Sequence, residues 1–410
     1  MATFNEKLSR YAELAVKVGV NIQPDQKLYI AASIDSAPFV RLIVKKAYEE
    51  GARQVFVDWS DDVISRTRFE KAPEDSFAEY PEWKIQEREQ LAAQGAAFIS
   101  VVSQSPDLLK GIDSKRISAS QKATGQALSK YRQYVQSDKI SWCVLAAPSE
   151  QWAKKVFPDV PENEQVSALW EAIFKAVRAD TENPIEAWLE HDRTLHTKAD
   201  YLNDKKYAKL HYQAPGTDLE VALPKGHLWA GAGSVNEKGD TFMANMPTEE
   251  VFTVPHKDEV NGFVSSTKPL SYGGNIIDGF KITFEGGRIT EVSAEQGEEV
   301  LKELVATDEG SHRLGEVALV PHQSPISDSG ILFFNTLYDE NASNHFAIGS
   351  AYAFCLEGGK TMSADELKEH GLNQSITHVD FMVGSGDMDI DGILEDGTRE
   401  PIFRSGNWAF

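Results

Sequence analysis

The feature that most restricts the fold is an alternation of helical and strand-like segments along the first third of the chain. Apolar residues recur at helical spacing between Phe4 and Val16, and a short apolar run follows at 28–31. A second helical window, 40–48, leads into the strand-like segment 55–58. This order of strand, helix and strand is typical of a parallel sheet covered by helices.

Two further apolar runs continue the alternation. Residues 97–102 and 142–146 are strand-like, and polar segments with helical patterns lie between them. Parallel strands joined by crossover helices are covered on both faces and therefore read as continuous apolar runs. The sequence predicts a layered α/β domain over residues 1–190 in which most strands are parallel.

The rest of the chain has a different texture. A polar, linker-like stretch containing His191 and His196 is followed by short strands separated by glycine-bearing turns, and Gly286-Gly287 is typical of a β-hairpin. All ten histidines of the chain lie after residue 190. Histidine is the most common metal ligand and carries protons near neutral pH. We therefore predict a mixed α+β catalytic domain over residues 191–410.

Charge and cysteine content exclude several kinds of partner. The chain has 41 Lys and Arg against 63 Asp and Glu, a net charge of −22, which would be repelled by nucleic acid and by anionic membranes. Cys143 and Cys355 lie far apart without a metal-finger or CxxC spacing, which favours a reducing compartment. The amino terminus does not resemble a secretory signal, and no apolar run approaches the length of a membrane span. We expect a cytoplasmic protein that binds neither nucleic acid nor membranes.

Two familiar motifs are near misses. The segment 387–392 begins like a calcium-binding loop, but Thr398 stands where that loop requires a glutamate. The segment 358–361 resembles the end of a phosphate-binding loop, but Phe354 replaces its first glycine. We interpret both segments as turns or strands without a ligand.

Carboxylates and histidines remain as the candidate chemistry. The segment His378-Val379-Asp380 alternates in strand fashion, so its imidazole and carboxylate share a face and can chelate one metal ion or bracket two. Glu340 and His345 stand at a turn before the run 346–353, whose pattern we interpret as a helix. His345 and Tyr352 would then point the same way, two helical turns apart.

Three more carboxylates lie beside apolar runs. Glu316 is in the run 315–320, and Glu249 and Glu250 precede the run 251–253. A carboxylate at such a position is usually an exposed charge at the end of a strand, so each is a weak signal when taken singly. Tyr352, taken alone, equally fits a side chain packed in the core.

Together these segments resemble the M29 family of metallo-aminopeptidases, the aminopeptidase T, AmpS and PepS type. The matching segments follow the family's order and are 245–253, 315–319, 338–345 and 378–380. The resemblance extends over essentially the whole chain. It implies an enzyme that removes N-terminal residues from short peptides through a water molecule activated by two divalent metal ions.

The resemblance also implies a role for each candidate residue. Glu316 is expected to bridge the two ions, and the phenol of Tyr352 to hydrogen-bond the developing oxyanion. We take Glu249 or Glu316 as the general base. The implied ions are Zn, Co, Mn or Mg. The implied metal ligands are Glu250, Glu316, Glu340, His345, His378 and Asp380.

The resemblance further implies a homodimer in which the N-terminal domain shapes the catalytic chamber and takes part in dimerisation. Two other functions remain open at this point. Metal-activated water serves many leaving groups, so the same residues also fit a dinuclear hydrolase of phosphate esters or non-peptide amides. A closed coordination shell would instead give a non-catalytic metal- or peptide-binding protein.

Overall fold

The computed structural model describes residues 2–410, which form two compact units. The first unit comprises the residues up to Ile112 together with 127–194 and 232–248. The second comprises 113–126, 195–231 and 249–410. Each unit is thus assembled from three separate stretches of the chain.

The first helix starts with a capping box in which the side chains of Thr3 and Glu6 each accept the other residue's backbone N–H. The helices begin and end as follows. They are α1 (Phe4–Leu14), α2 (Ala37–Glu49), α3 (Asp62–Lys71), α4 (Glu82–Ala93), α5 (Ser114–Ala127), α6 (Ser129–Gln136), α7 (Glu150–Val156), α8 (Glu162–Ala176), α9 (Pro184–Lys205), α10 (Glu298–Val305), α11 (Thr336–Asp339) and α12 (Ala364–Glu369). Within residues 2–410, none of them is both long enough and apolar enough to cross a membrane.

The strands are β1 (Lys27–Ser33), β2 (Gln54–Ser60), β3 (Ala97–Val102), β4 (Trp142–Ala146), β5 (Lys209–Ala214), β6 (Thr217–Ala222), β7 (Ala230–Gly231), β8 (Gly233–Val235), β9 (Thr241–Met243), β10 (Val251–Thr253), β11 (Val260–Ser265), β12 (Leu270–Tyr272), β13 (Asn275–Ile277), β14 (Lys281–Glu285), β15 (Arg288–Ser293), β16 (Leu314–Leu319), β17 (His345–Gly349), β18 (His378–Met382), β19 (Asp389–Ile393), β20 (Arg399–Arg404) and β21 (Asn407–Trp408).

The first unit contains a four-stranded parallel sheet with the order β2-β1-β3-β4. Each of the four apolar runs that the sequence predicts as strands lies in one of these strands. Leu28, Ile30 and Ile99 of the two central strands are fully buried or nearly so. α1 and α2 pack together through Tyr11 and Phe39, whose stacked rings have centres 4.7 Å apart. The predicted parallel α/β layer is confirmed.

The second unit contains antiparallel sheets. Five strands have the order β18-β17-β16-β10-β7, eight have the order β15-β14-β11-β6-β5-β19-β20-β21, and β12 pairs with β13. The predicted hairpin at Gly286-Gly287 joins β14 to β15. With three helices after residue 290 as well, this unit has the mixed α+β character that the sequence predicts.

The helix predicted over residues 346–353 is wrong. Residues His345–Gly349 form strand β17, and Tyr352 lies outside it, directly before a short 3-10 turn at Ala353–Cys355. Every residue of β17 is buried. A strand buried on both faces has no polar alternation, so periodicity alone cannot distinguish it from a buried helix. His345 and Tyr352 are therefore not stacked along one helix.

The linker predicted around His191 and His196 is also wrong, because α9 continues to Lys205. Trp188, Leu195, Ala199 and Leu202 of this helix are buried. Their spacings of seven, four and three residues place them on one helical face. The many charged residues between them occupy the other faces, which gives this part of α9 its linker-like composition.

The near-miss motifs form ordinary structure. Residues 389–393 are strand β19, which pairs with β5 and β20. Residues Gly359–Thr361 form a short 3-10 turn.

Candidate metal centre

Four candidate ligands come from three adjacent strands of the five-stranded sheet. β16 carries Glu316, β17 begins at His345, and β18 carries His378 and Asp380. In the register of these strands, Ala347 lies opposite both Glu316 and Asp380. Residues directly opposite one another project from the same face, as do residues two apart along a strand. The four candidate side chains therefore leave the same face of the sheet.

Each of these four side chains lies opposite a residue with no side chain beyond Cβ on one neighbouring strand, and His345 also lies opposite Met382 on β18. The opposing pairs are Glu316 with Ala347, Asp380 with Ala347, His345 with Ala318 and His378 with Gly349. This arrangement leaves room above the sheet for the longer ligand side chains.

A glycine is also required in the strand just before Glu316, where the pairing of β16 with β17 is irregular. A Cβ at Gly315 would lie 2.3 Å from the carbonyl oxygen of Gly349, so a larger residue could not be placed there without moving the backbone. The irregular register thereby depends on Gly315.

The remaining candidates reach the same cluster from neighbouring segments. Glu250 directly precedes β10, and Glu340 opens a short 3-10 turn after α11. His345 Nε2 lies 2.9 Å from Glu250 Oε2 and 3.9 Å from Glu316 Oε1. His378 Nε2 lies 3.2 Å from Glu316 Oε2. Glu316 thus presents one carboxylate oxygen to each histidine.

The six candidates form three overlapping groups in which the ligand atoms lie within 4.8 Å of one another. The groups are Glu250 with Glu316 and His345, Glu316 with His378 and Asp380, and Glu340 with His345 and Asp380. Glu249 belongs to none of these three groups, which are drawn from residues 2–410.

Backbone carbonyls fix the orientation of both imidazoles. His345 Nδ1 lies 3.0 Å from the carbonyl oxygen of Ser343, and His378 Nδ1 lies 2.7 Å from that of Ser350. A ring nitrogen that faces a carbonyl oxygen is the one that carries the proton. Both rings therefore turn Nε2 toward the carboxylates, as is usual for histidines that bind a metal.

The segment between Glu340 and His345 also holds the neighbouring strands in place. Asn341 Oδ1 accepts the backbone N–H of Glu249 at 2.7 Å, just before Glu250. Asn344 Oδ1 accepts the backbone N–H of Val320 at 2.8 Å, at the end of β16. Both asparagines are buried. One short segment thus carries two candidate ligands and positions the strands that carry two more.

The concentration of buried charge shifts several pKa values. Burial raises the pKa of Glu316 to about 7, with the charges of Asp380 and Glu250 acting in the same direction. Burial likewise raises the pKa of Glu340 well above its ordinary value. For His345, burial opposes the positive charge, but the carboxylates of Glu250, Glu340 and Asp380 together outweigh it and raise the pKa to about 10. Without a cation, the cluster must therefore hold protons that a metal ion would displace.

Two atoms of the cluster fit a metal ion better than they fit their protein neighbours. His345 Nε2 and Asp380 Oδ1 are buried and make no hydrogen bond. Although Glu250 Oε2 lies 2.9 Å from the imidazole nitrogen, the two groups are not aligned for one. Buried polar atoms of this kind are costly unless they are paired or coordinate a metal. Carboxylate oxygens and imidazole nitrogens are the donors that divalent transition metals prefer.

The cluster is accessible on the side of β18. The side chains of His378 and Asp380 are 16% and 17% exposed, whereas the other four candidates are almost completely buried. The ring of Tyr352 lies against His378, with ring centres 4.9 Å apart. Tyr352 therefore does stand beside the cluster, although it arrives there through a loop after β17 and not along a helix.

Sequence reasoning missed the residues that shape this cluster. No sequence motif marks the alanines and the glycine opposite the ligand candidates, or the carbonyls that accept the imidazole protons. Interpreting 345–349 as a strand would have identified Ala347, since it lies two residues after His345 on the same face.

Several known proteins resemble this chain in sequence and structure over its whole length. The profile of the thermophilic metalloprotease (M29) family matches residues 4–408. The chain is 65% identical over 410 residues to aminopeptidase AmpS of Bacillus subtilis (strain 168), covering 100% of both proteins. It is 50% identical over 410 residues to aminopeptidase PepS of Streptococcus thermophilus, covering 100% of this chain and 99% of that protein. The structure of wild-type AmpT from Thermus thermophilus superposes with a TM-score of 0.90 at 42% identity, covering 100% of both chains.

Proposed function

Because the chain belongs to the thermophilic metalloprotease (M29) family, we propose that it is a metal-dependent aminopeptidase that releases the N-terminal residue of short peptides. The observation that carries this proposal is the cluster of four carboxylates and two imidazoles, which is accessible on the side where Tyr352 lies. The relatives' names supply the type of bond cleaved, and the cluster supplies the chemistry.

We further propose that the cluster holds two divalent ions, Zn, Co, Mn or Mg. Glu250 and His345 would hold one ion, His378 and Asp380 the other, and Glu316 would bridge them. Glu340 would complete the set beside His345. The support is that Glu316 turns a different oxygen to each histidine, and that four ionised carboxylates balance the charge of two dications. When bound, such ions supply a water molecule of lowered pKa and polarise the scissile carbonyl.

Tyr352 is proposed to stabilise the oxyanion that develops on the scissile carbonyl. Burial raises the pKa of its phenol well above the ordinary value, and the surrounding carboxylates act in the same direction. The phenol therefore stays protonated at neutral pH and can donate a hydrogen bond. Tyr352→Phe should lower kcat while the content of bound metal stays unchanged.

Two carboxylates are candidates for the general base. Glu316 belongs to two of the ligand groups, whereas Glu249 belongs to none of the three. A carboxylate occupied by metal ions is a poor base. Glu249→Gln variants that bind the metal normally but lose kcat would assign the role to Glu249, and normal turnover would assign it to Glu316.

We also propose that the protein is a cytoplasmic homodimer in which residues 1–190 take part in the contact and in shaping the chamber. The family resemblance supports the dimer, and the presence of both cysteines as buried thiols supports the compartment. Small-angle scattering at working concentration should give the mass of two chains. A monomer under those conditions would contradict the dimer without affecting the proposed chemistry.

The test of the proposed function is release of the amine from aminoacyl anilides, and of the first residue from short peptides. The protein is assayed after chelation and again after Co or Zn is restored. Release should require the metal and a free amino terminus, so acetylated substrates should be inert. Turnover of phosphate esters in its place, or no release with any metal, would overturn the proposal.

A further inference from the structure

Three aromatic rings form a continuous layer beside the metal ligand candidates. The rings of Tyr352 and Phe354 are stacked with centres 5.1 Å apart, and Phe252 lies 5.9 Å from the first and 6.0 Å from the second. Tyr352 in turn lies against His378 at 4.9 Å. We call Phe252, Tyr352 and Phe354 the aromatic wall.

One residue of the wall, Phe252, projects from the same face of the sheet as the ligand candidates of β16 to β18. Phe252 of β10 lies opposite Ala318, and Ala318 lies opposite His345 on the next strand. Strand spacing therefore places the backbone of Phe252 about 10 Å from that of His345. The other neighbour of Phe252, on β7, is Ala230. Small residues on both sides of Phe252 leave its ring faces without a bulky cross-strand partner.

The wall is anchored on one side and partly open on the other. Its rings pack on a buried apolar cluster that includes Val254, Cys355 and Leu372. All three wall residues are nevertheless only partly buried. Partly exposed aromatic rings that are fixed from behind and stand next to polar reactive groups are typical of the apolar part of a ligand site.

Tyr352 connects the wall to the accessible side of the cluster. His378 and Asp380 are the ligand candidates that solvent reaches, and Tyr352 links His378 to both phenylalanines. A peptide whose first carbonyl lies near Tyr352 and His378 therefore has its first side chain within reach of the wall. The carboxylates of the cluster would repel a negatively charged side chain in the same place.

We propose that Phe252 and Phe354 are specificity-determining residues that contact the side chain of the residue being released and favour large apolar side chains over small or acidic ones. This inference rests on the proposed aminopeptidase function. Phe252 and Phe354 bury apolar surface of the substrate, and because Tyr352 is part of the same stack, a side chain that fits the wall also aligns the carbonyl with the phenol. The discrimination appears in the ratio of kcat/KM values between substrates.

The test uses p-nitroanilides of Leu, Phe, Ala and Glu with the metal-loaded protein. The unaltered chain should prefer Leu and Phe to Ala by about 10- to 100-fold in kcat/KM, the range typical of an apolar side-chain pocket, and should prefer Ala to Glu. Phe252→Ala and Phe354→Ala should each reduce the Leu-to-Ala ratio by about tenfold or more. Phe252→Leu and Phe354→Leu preserve an apolar side chain, so they should keep the Leu preference and lose part of the Phe preference.

The matched control is Phe263→Ala, a partly buried phenylalanine of β11 in the eight-stranded sheet that contacts Lys281. Its ratios should equal those of the unaltered chain. If the wall variants lower kcat/KM for every substrate equally, the phenylalanines only support Tyr352 and the inference is wrong. Release by the unaltered chain with no preference for Leu or Phe would also overturn it, while leaving the aminopeptidase function intact. No release of any free residue would instead contradict the proposed function itself.

Discussion

The central strands of the parallel sheet in the first unit and of the five-stranded sheet in the second are both largely buried, but they bury different kinds of side chain. In the central strand β1, the buried positions hold mostly apolar residues such as Leu28 and Ile30. Strands β16 and β17 have no exposed residue at all, and yet they contain Glu316 and His345. The first sheet is stabilised by packing, whereas one face of the second carries charges that need a counter-charge. Burial alone therefore does not identify a structural core.

The sharpest way to test this contrast is to remove a charge from the second sheet. Glu316→Gln and His345→Ala should each lower kcat by roughly 1000-fold or more, because each removes a ligand around which the proposed ions are organised. Circular dichroism should remain that of the unaltered chain, since neither change opens an apolar core. Wild-type turnover in either variant would show that the ligand assignment is wrong.

A second way is to enlarge one small residue in each sheet. Ala347→Leu should weaken metal binding by about 100-fold, because the new side chain fills the space between Glu316 and Asp380. The matched change Ala97→Leu in the parallel sheet should cost about 1–3 kcal/mol of stability through overpacking and leave metal affinity unchanged. Competition with a chromogenic chelator measures the affinity, and urea unfolding measures the stability. Equal effects of the two changes on metal affinity would remove the distinction between the sheets.

A third way is to replace a residue that positions the ligand candidates while the candidates themselves stay unchanged. Asn341→Ala removes the side-chain oxygen that accepts the N–H of Glu249 beside Glu250. It also removes the amide that donates to Leu337 at 2.8 Å. We expect about tenfold weaker metal binding, as for other residues that orient ligands. Ser329→Ala, a change in a half-exposed turn of the same unit, is the control. Unchanged affinity in Asn341→Ala would mean that Glu250 and Glu340 hold their positions without it.

The smallest effect expected is a pH dependence of the stability that a bound metal ion adds to the folded chain. The pKa of Glu316 lies at about 7 in the folded, metal-free chain, above its ordinary value of 4.5, chiefly because the carboxyl is buried. This shift stabilises the folded chain below about pH 4.5, and the contribution is lost as the pH rises through 7. A metal ion binds the ionised form, so its stabilising effect should increase over the same range.

Calorimetry should therefore show that Tm of the metal-loaded protein exceeds that of the chelated protein by several degrees more at pH 8 than at pH 5. Hydrogen exchange at pH 8 should show that chelation lowers the protection of backbone amides in β16 to β18 and not in β1 to β4. A difference in Tm that does not change with pH would contradict the protonation of the metal-free cluster.

The sequence alone predicts the strands that lie in uniformly apolar surroundings. Residues 97–102 and 142–146 are apolar except for Ser100, and both runs are strands of the parallel sheet. The same rule failed at 346–353, because a strand buried on both faces and a buried helix have the same apolar composition. It failed again at α9, where the buried positions of one face are separated by charged residues of the others.

The candidate site was predictable in its residue types but not in its geometry. Alternation places His378 and Asp380 on one face, and the strand register shows the same. The six side chains predicted as ligands do meet in one cluster, and their role as ligands stays a prediction. Nothing local in the sequence indicates that Ala318 and Ala347 lie opposite the ligand candidates, because a cross-strand register is a property of the assembled sheet.

The order of the ligand candidates along the chain has a consequence for synthesis on the ribosome. Glu250, Glu316 and Glu340 are made before either His378 or Asp380, and the segment that fastens the strands lies between them. A growing chain therefore exposes several carboxylates before the residues that complete the cluster exist. The complete set of ligand candidates therefore exists only once residue 380 has been translated, after all four strands of the parallel sheet.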